Sequence, residues 1–165
     1  MTKSNLKIRL AEAKDAGDLH RLISELANFE KAPHEVTNTV DEIMQDGFGK
    51  NSIFTCYVAE LNHQIVGMAL VYDKYSTWKG RCLFLEDIIV QLEHRNKGIG
   101  KKLMLACIAL AKEKQSKRME WQVLNWNQDA IQFYLSLGAI VDGTWINCKF
   151  THNQLQQFNF DLPKQ

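Results

Sequence analysis

Proline is nearly absent from this chain, two in 165 residues (Pro33 and Pro163), and no Pro-rich, Gly/Ser-rich or single-charge tract occurs. That leaves no linker, no low-complexity segment and no collagen-like repeat. Cysteine is sparse and never at CxxC spacing. Cys56, Cys82, Cys107 and Cys148 each stand alone in apolar segments, which predicts reduced thiols in a cytoplasmic protein rather than a disulfide framework. The five histidines show no HxH or HxxxH pair, so no metal site is expected. The net charge is +1, which gives no electrostatic case for nucleic acid or an anionic membrane surface. No apolar run is long enough to cross a bilayer. Met1-Thr2-Lys3-Ser4-Asn5-Leu6-Lys7 lacks the apolar stretch of a signal peptide.

The length and 45% hydrophobic content suit one domain over residues 1–165 with a sizeable core. Residues 7–10 read as a short strand. Residues 15–28 read as a helix, with Leu19, Leu22, Ile23 and Leu26 at helical spacing and Asp15 at its N-cap. A second short helix over 39–45 stops at Asp46-Gly47. Strands over 54–60 and 64–75 flank the turn Leu61-Asn62-His63, and a third follows over 81–90. Residues 101–114 carry Leu103, Met104, Cys107, Ile108, Leu110 and Ala111 on one apolar face. Then come a buried strand over 119–124 and a helix over 129–137 closed by Gly138. Strands over 139–141 and 144–150 and a short helical end over 153–158 complete the chain. Middle hairpins combined with one strand–helix–strand crossover predict an α/β fold. Its mixed, mostly antiparallel central sheet has helices on both faces.

The chemistry gathers where the third long strand ends. Leu85-Glu86-Asp87-Ile88-Ile89-Val90 is followed by Arg95-Asn96-Lys97-Gly98-Ile99-Gly100-Lys101 and then the long helix. A helix N-terminus offers unpaired N–H groups and partial positive charge, a natural seat for phosphate. Glycines there let a ligand approach the backbone. A P-loop is excluded, because no GxxxxGK[ST] segment exists. A dinucleotide fingerprint fits poorly: its third position is Leu103, and Glu120 falls at the start of its strand.

Arg95-x-x-Gly98-x-Gly100 resembles the pyrophosphate loop of the GNAT superfamily of acetyl-CoA-dependent N-acetyltransferases. A second segment, Asn127-x-x-Ala130-x-x-Phe133-Tyr134-x-x-x-Gly138-Ala139, resembles that superfamily's other signature at every position. The resemblance narrows to the spermidine/spermine (diamine) acetyltransferase group on Glu25-Leu26-Ala27-Asn28-Phe29-Glu30, Asp46-Gly47-Phe48-Gly49, Leu85-Glu86-Asp87 and Asn125-Trp126-Asn127. Polyamine-preferring members carry an acid in a Tyr-Asp-Pro-Trp segment. Here Tyr75-Ser76-Thr77-Trp78 stands instead, and resembles the thialysine-preferring sister group.

The resemblance implies a GNAT fold and acetyl-CoA held by Arg95, Asn96, Lys97, Gly98, Ile99, Gly100 and Lys101. Ile88, Ile89 and Val90 would lie along its acetyl end, with Asn127, Phe133 and Tyr134 along its arm. It implies Glu86 as base, through water, and Tyr134 as the acid for the thiolate. The amine substrate would meet Glu30, Ser76, Thr77, Trp78, Glu86 and Asp87. Strand alternation sends Glu86 and Asp87 to opposite faces. Asn127 equally suits a helix cap, Trp78 a core position or a cation contact, and Tyr134 a buried structural role. A homodimer is expected, with residues 145–160 at its interface. The alternatives are a protein lysine or N-terminal acetyltransferase and a non-catalytic acyl-CoA-binding module.

Overall fold

A computed structural model of the protein describes residues 5–157. The segment Met1–Ser4, Phe158 and Phe160 of the expected interface, and Pro163 lie outside the described residues. The chain divides into two compact units between Gln122 and Val123.

The first unit is built on a five-stranded sheet in sequential order: β1 (Leu6–Leu10), β2 (Thr55–Leu61), β3 (Gln64–Ser76), β4 (Gly80–Val90) and β5 (Met119–Glu120). Pairings through β4 are antiparallel, and β4–β5 is parallel. The β2–β3 turn has Asn62 at φ 50° and His63 at φ 68°, the left-handed pair of a two-residue hairpin that matches strand twist. Helices α1 (Ala16–Phe29) and α2 (Val40–Phe48) lie on one face. There Ala16, Leu19, Leu22 and Ile43 form one core with Cys56, Val58, Met68 and Ile89. Helix α3 (Ile99–Glu113) packs against β2, β3 and β4, and buries Leu103, Met104, Cys107 and Ala111. Helices on both sides are therefore observed.

Several local expectations change. Asp15 is the N-cap residue of α1, as expected, but its side chain makes no cap bond. Its carboxylate is taken by Arg9 at 2.7 and 3.0 Å and by the Glu12 N–H at 2.8 Å. Helix α2 runs through Asp46-Gly47 to Phe48, with Thr39 as its N-cap. Gly47 is there for close approach, since a Cβ would meet the Phe54 ring at 2.3 Å. Helix α3 starts two residues early, at Ile99, and leaves Ile108 partly exposed. The strand expected over 119–124 pairs only through Met119 and Glu120, both half-buried.

The second unit contains α4 (Gln128–Ser136) and α5 (His152–Gln157). The strands expected over 139–141 and 144–150 are not formed. That stretch makes no ladder, and Ile140, Trp145 and Ile146 are exposed. No helix among the described residues is long and apolar enough to cross a membrane.

Candidate active site

The loop after β4 is shaped by backbone conformation. Asn96 and Gly98 both have positive φ, 59° and 77°, and Gly98 is the N-cap of α3. A Cβ at Gly98 would touch nothing, so glycine is needed there for its left-handed φ and not for space. The first-turn amides of α3, from Ile99 to Lys101, have no carbonyl partner within the helix. The cradle therefore presents backbone donors. Arg95 and Lys97 are turned back onto the scaffold. Arg95 Nε donates to the Val90 carbonyl at 2.9 Å, and its guanidinium lies 4.9 Å from the Phe29 ring. Lys97 Nζ donates to the Glu93 carbonyl at 2.8 Å. Asn96, Lys97, Gly98 and Lys101 are exposed, and Ile99 is buried beneath them.

Strand β4 carries a bulge at the acidic pair. Leu70 of β3 opposes Asp87, and its neighbour Val71 opposes Leu85, so Glu86 has no partner. Counting forward from Phe84 puts Glu86 on the face bearing Tyr72. Counting back from Ile89 puts Asp87 on that same face. The expectation of opposite faces fails because the extra residue resets the alternation. Burial first, and then the nearby Glu86 carboxylate, push the Tyr72 phenol up to about 12.

Asp87 is pushed up to about 6, first by burial and then by the negative charges of Glu86 and Glu30. Glu30, the residue that ends α1, is also raised, by burial. None of the ion pairs among the described residues involves Glu30, Glu86 or Asp87. No group of three or more His, Cys, Asp or Glu among the described residues is arranged to hold a metal. Three acids thus share one face, Glu30 and Asp87 half-buried and Glu86 exposed, a site suited to a cation brought from outside.

The edge of β4 facing β5 is paired only at Leu83 and Phe84. From Leu85 through Ile88, Ile89 and Val90 that edge has no strand partner among the described residues, which leaves main-chain groups for a ligand.

The β3–β4 hairpin tip lies elsewhere. Ser76 pairs with Gly80, six residues along β3 from Leu70, or about 20 Å at 3.3 Å per residue. Ser76 Oγ accepts from the Trp78 and Lys79 amides at 3.3 and 3.2 Å and from Arg118 at 3.3 Å. Trp78 is 78% exposed. Within this chain, Ser76, Thr77 and Trp78 are not brought to Glu86 and Asp87.

In the second unit, the Asn127 side-chain oxygen accepts from the Ala130 N–H at 3.2 Å and caps α4. Tyr134 is the buried residue of that helix, its ring centroid 5.4 Å from that of half-buried Phe133. Leu135, next along the helix, is 44% exposed.

The sequence does not single out Tyr72. It belongs to neither motif, and only the β3–β4 register reveals it. Its one local signal is an aromatic position directly opposite Phe84.

Comparison with known proteins gives a match to the Acetyltransferase (GNAT) family over residues 19–139. The chain is 40% identical over 144 residues to a thialysine N-epsilon-acetyltransferase of Mus musculus, covering 82% of this chain and 85% of that protein. It is 37% identical over 141 residues to spermidine/spermine N(1)-acetyltransferase-like protein 1 of Homo sapiens, covering 81% of this chain and 20% of that protein. In fold it is similar to an aminoglycoside N-acetyltransferase solved in complex with CoA. The TM-score is 0.73 at 18% identity, covering 89% of this chain and 95% of that one.

Proposed function

Because the chain belongs to the acetyltransferase (GNAT) family, we propose that it moves an acetyl group from acetyl-CoA to a primary amine of a small cationic molecule. Thialysine or a related diamine is the preferred class. The observation that carries this reading is the trio Glu30, Glu86 and Asp87, held on one face with no ion-pair partner of their own. Identity to thialysine N-epsilon-acetyltransferases supports the same substrate class. The exposed loop with left-handed Gly98 and the open α3 amides fits a pyrophosphate, and the unpaired edge of β4 fits a pantetheine arm and acetyl carbonyl.

Acetyl-CoA supplies the acyl group as an activated thioester. An alkyl ammonium has a pKa near ~10 and must lose a proton before it attacks. Asp87 and Glu30 hold the cation, and Glu86 takes its proton, through water. Main-chain N–H groups near Ile89 and Val90 polarise the acetyl carbonyl. Tyr134 supplies the proton that leaves on the thiol; Phe133 packs beside it on α4, and Asn127 caps that helix.

Direct attack is favoured over an acetyl-cysteine. Burial raises the Cys56 thiol, and the Cys107 thiol is pushed up to about 12, whereas a thiol nucleophile needs a lowered value. A cytoplasmic homodimer is the expected setting, in keeping with four free cysteines and with the exposed Trp145 and Ile146.

The test is a two-substrate initial-velocity study with thialysine and acetyl-CoA, with the acetylated product identified by mass. Intersecting reciprocal plots support direct attack in a ternary complex. Parallel plots overturn it in favour of an acyl-enzyme.

A further inference from the structure

Tyr72 is half-buried on the sheet face that carries Glu86 and Asp87. It is paired with Phe84 across the β3–β4 ladder, and the two rings lie 5.2 Å apart at 33°. That contact sets the ring direction, and the ring direction sets where the phenol points. Two residues beyond Phe84, ordinary alternation places Glu86 on the same face, close enough for its charge to raise the phenol. Without the bulge, Asp87 would be carried to the other face. With it, Tyr72, Glu86 and Asp87 line one side of the sheet. Among the described residues no cation pairs with Glu86, so a neutral donor is left to orient it. A carboxylate has two oxygens. One can accept a hydrogen bond from the phenol, which leaves the second for an incoming group.

We propose that Tyr72 is a positioning residue for acetyl transfer: its phenol, aimed by Phe84, holds Glu86 so that the carboxylate's second oxygen faces the substrate ammonium. This rests on the reading of Glu86 as the proton acceptor. A neutral donor suits the task. It orients the carboxylate without supplying a positive charge that would repel the substrate cation. The phenol is also held protonated far above neutral pH, so the donor is present wherever the enzyme works.

The experiment is a double-mutant cycle of Tyr72→Phe and Glu86→Gln, with kcat and both KM values measured for thialysine and acetyl-CoA. Phenylalanine keeps the ring packing on Phe84, so the thermal midpoint and acetyl-CoA KM should match wild type. The expected result is a kcat about tenfold lower or more for Tyr72→Phe, a larger fall for Glu86→Gln, and no further fall when the two are combined. Equal factors in both backgrounds would make Tyr72 an independent structural residue and overturn the proposal. Wild-type kcat in Tyr72→Phe would do the same. If Glu86→Gln alone keeps wild-type kcat, it is the assignment of Glu86 that fails, and the Tyr72 role falls with it.

Discussion

Two aspartates in the first unit show opposite uses of a withdrawn carboxylate. Asp15, 4% exposed, is met by Arg9 through two bonds and by a backbone amide. That guanidinium holds it below the usual carboxylate range, against the opposing effect of burial. Asp87 has no ion pair, and its close charges are the like-signed Glu86 and Glu30, so it is pushed up to about 6. Asp15 completes a corner between β1 and the start of α1. Asp87 leaves a demand for positive charge unmet. A withdrawn acid with its partner in the chain is part of the scaffold. One without a partner is a site waiting for a cation.

The largest effect that would sharpen this contrast is on chemistry. Glu86→Gln should lower kcat by about 10²–10⁴ while leaving the acetyl-CoA KM as in wild type. A raised acetyl-CoA KM instead would mean that the acid face and the phosphate cradle are not separable.

Next is the scaffold aspartate. Asp15→Ala leaves Arg9 with Glu60 at 2.8 Å and the Leu10 carbonyl at 3.1 Å and should cost about 2–3 kcal/mol, read by urea denaturation. Its folded pKa is depressed. The stability it contributes is therefore present above the ordinary aspartate value and lost as pH falls through the lower folded one.

Asp87→Asn should run the other way. Its folded pKa is raised, so the fold favours the neutral acid, and the chain loses stability as pH rises from about 4 to about 6. Asparagine removes that penalty, which amounts to as much as about 3 kcal/mol, and the urea midpoint at pH 7.5 should rise. The same variant should raise the amine KM about tenfold. A stabilised variant with unchanged amine KM would leave Asp87 outside the substrate site.

The smallest effect belongs to the loop. Gly98→Ala meets no neighbour but forces a left-handed φ of 77° on a residue with a Cβ, at about 1–2 kcal/mol. It should raise the acetyl-CoA KM several-fold and leave the amine KM unchanged.

The loop and the bulge also differ in how far they were legible. Arg95 to Lys101 is a local device. Strand, glycine turn and helix N-terminus are contiguous, so spacing alone located the cradle and α3. The Asn62-His63 turn and the capped start of α4 at Asn127 were legible for the same reason. The bulge is set by register against β3, and no spacing within β4 reveals an extra residue. Strict alternation therefore placed Glu86 and Asp87 on opposite faces. Ser76, Thr77 and Trp78 are close to Glu86 in number, yet about 20 Å away along an extended hairpin. Residues 139–150 carry strand-like apolar content, but a strand exists only with a partner edge, and none pairs with them among the described residues. Helix α2 runs past Asp46-Gly47, where Phe48 and Phe54 pack edge to face, 6.4 Å apart, and the Phe54 ring sits against Gly47.

Acetyl transfer to a small cationic amine is measured by release of CoA thiol from acetyl-CoA across a panel of thialysine, lysine, ornithine, putrescine, spermidine, spermine and a histone-tail peptide. Turnover should be fastest with thialysine or another small diamine. Fastest turnover with the peptide, or no turnover with any small amine while acetyl-CoA still binds, would contradict it.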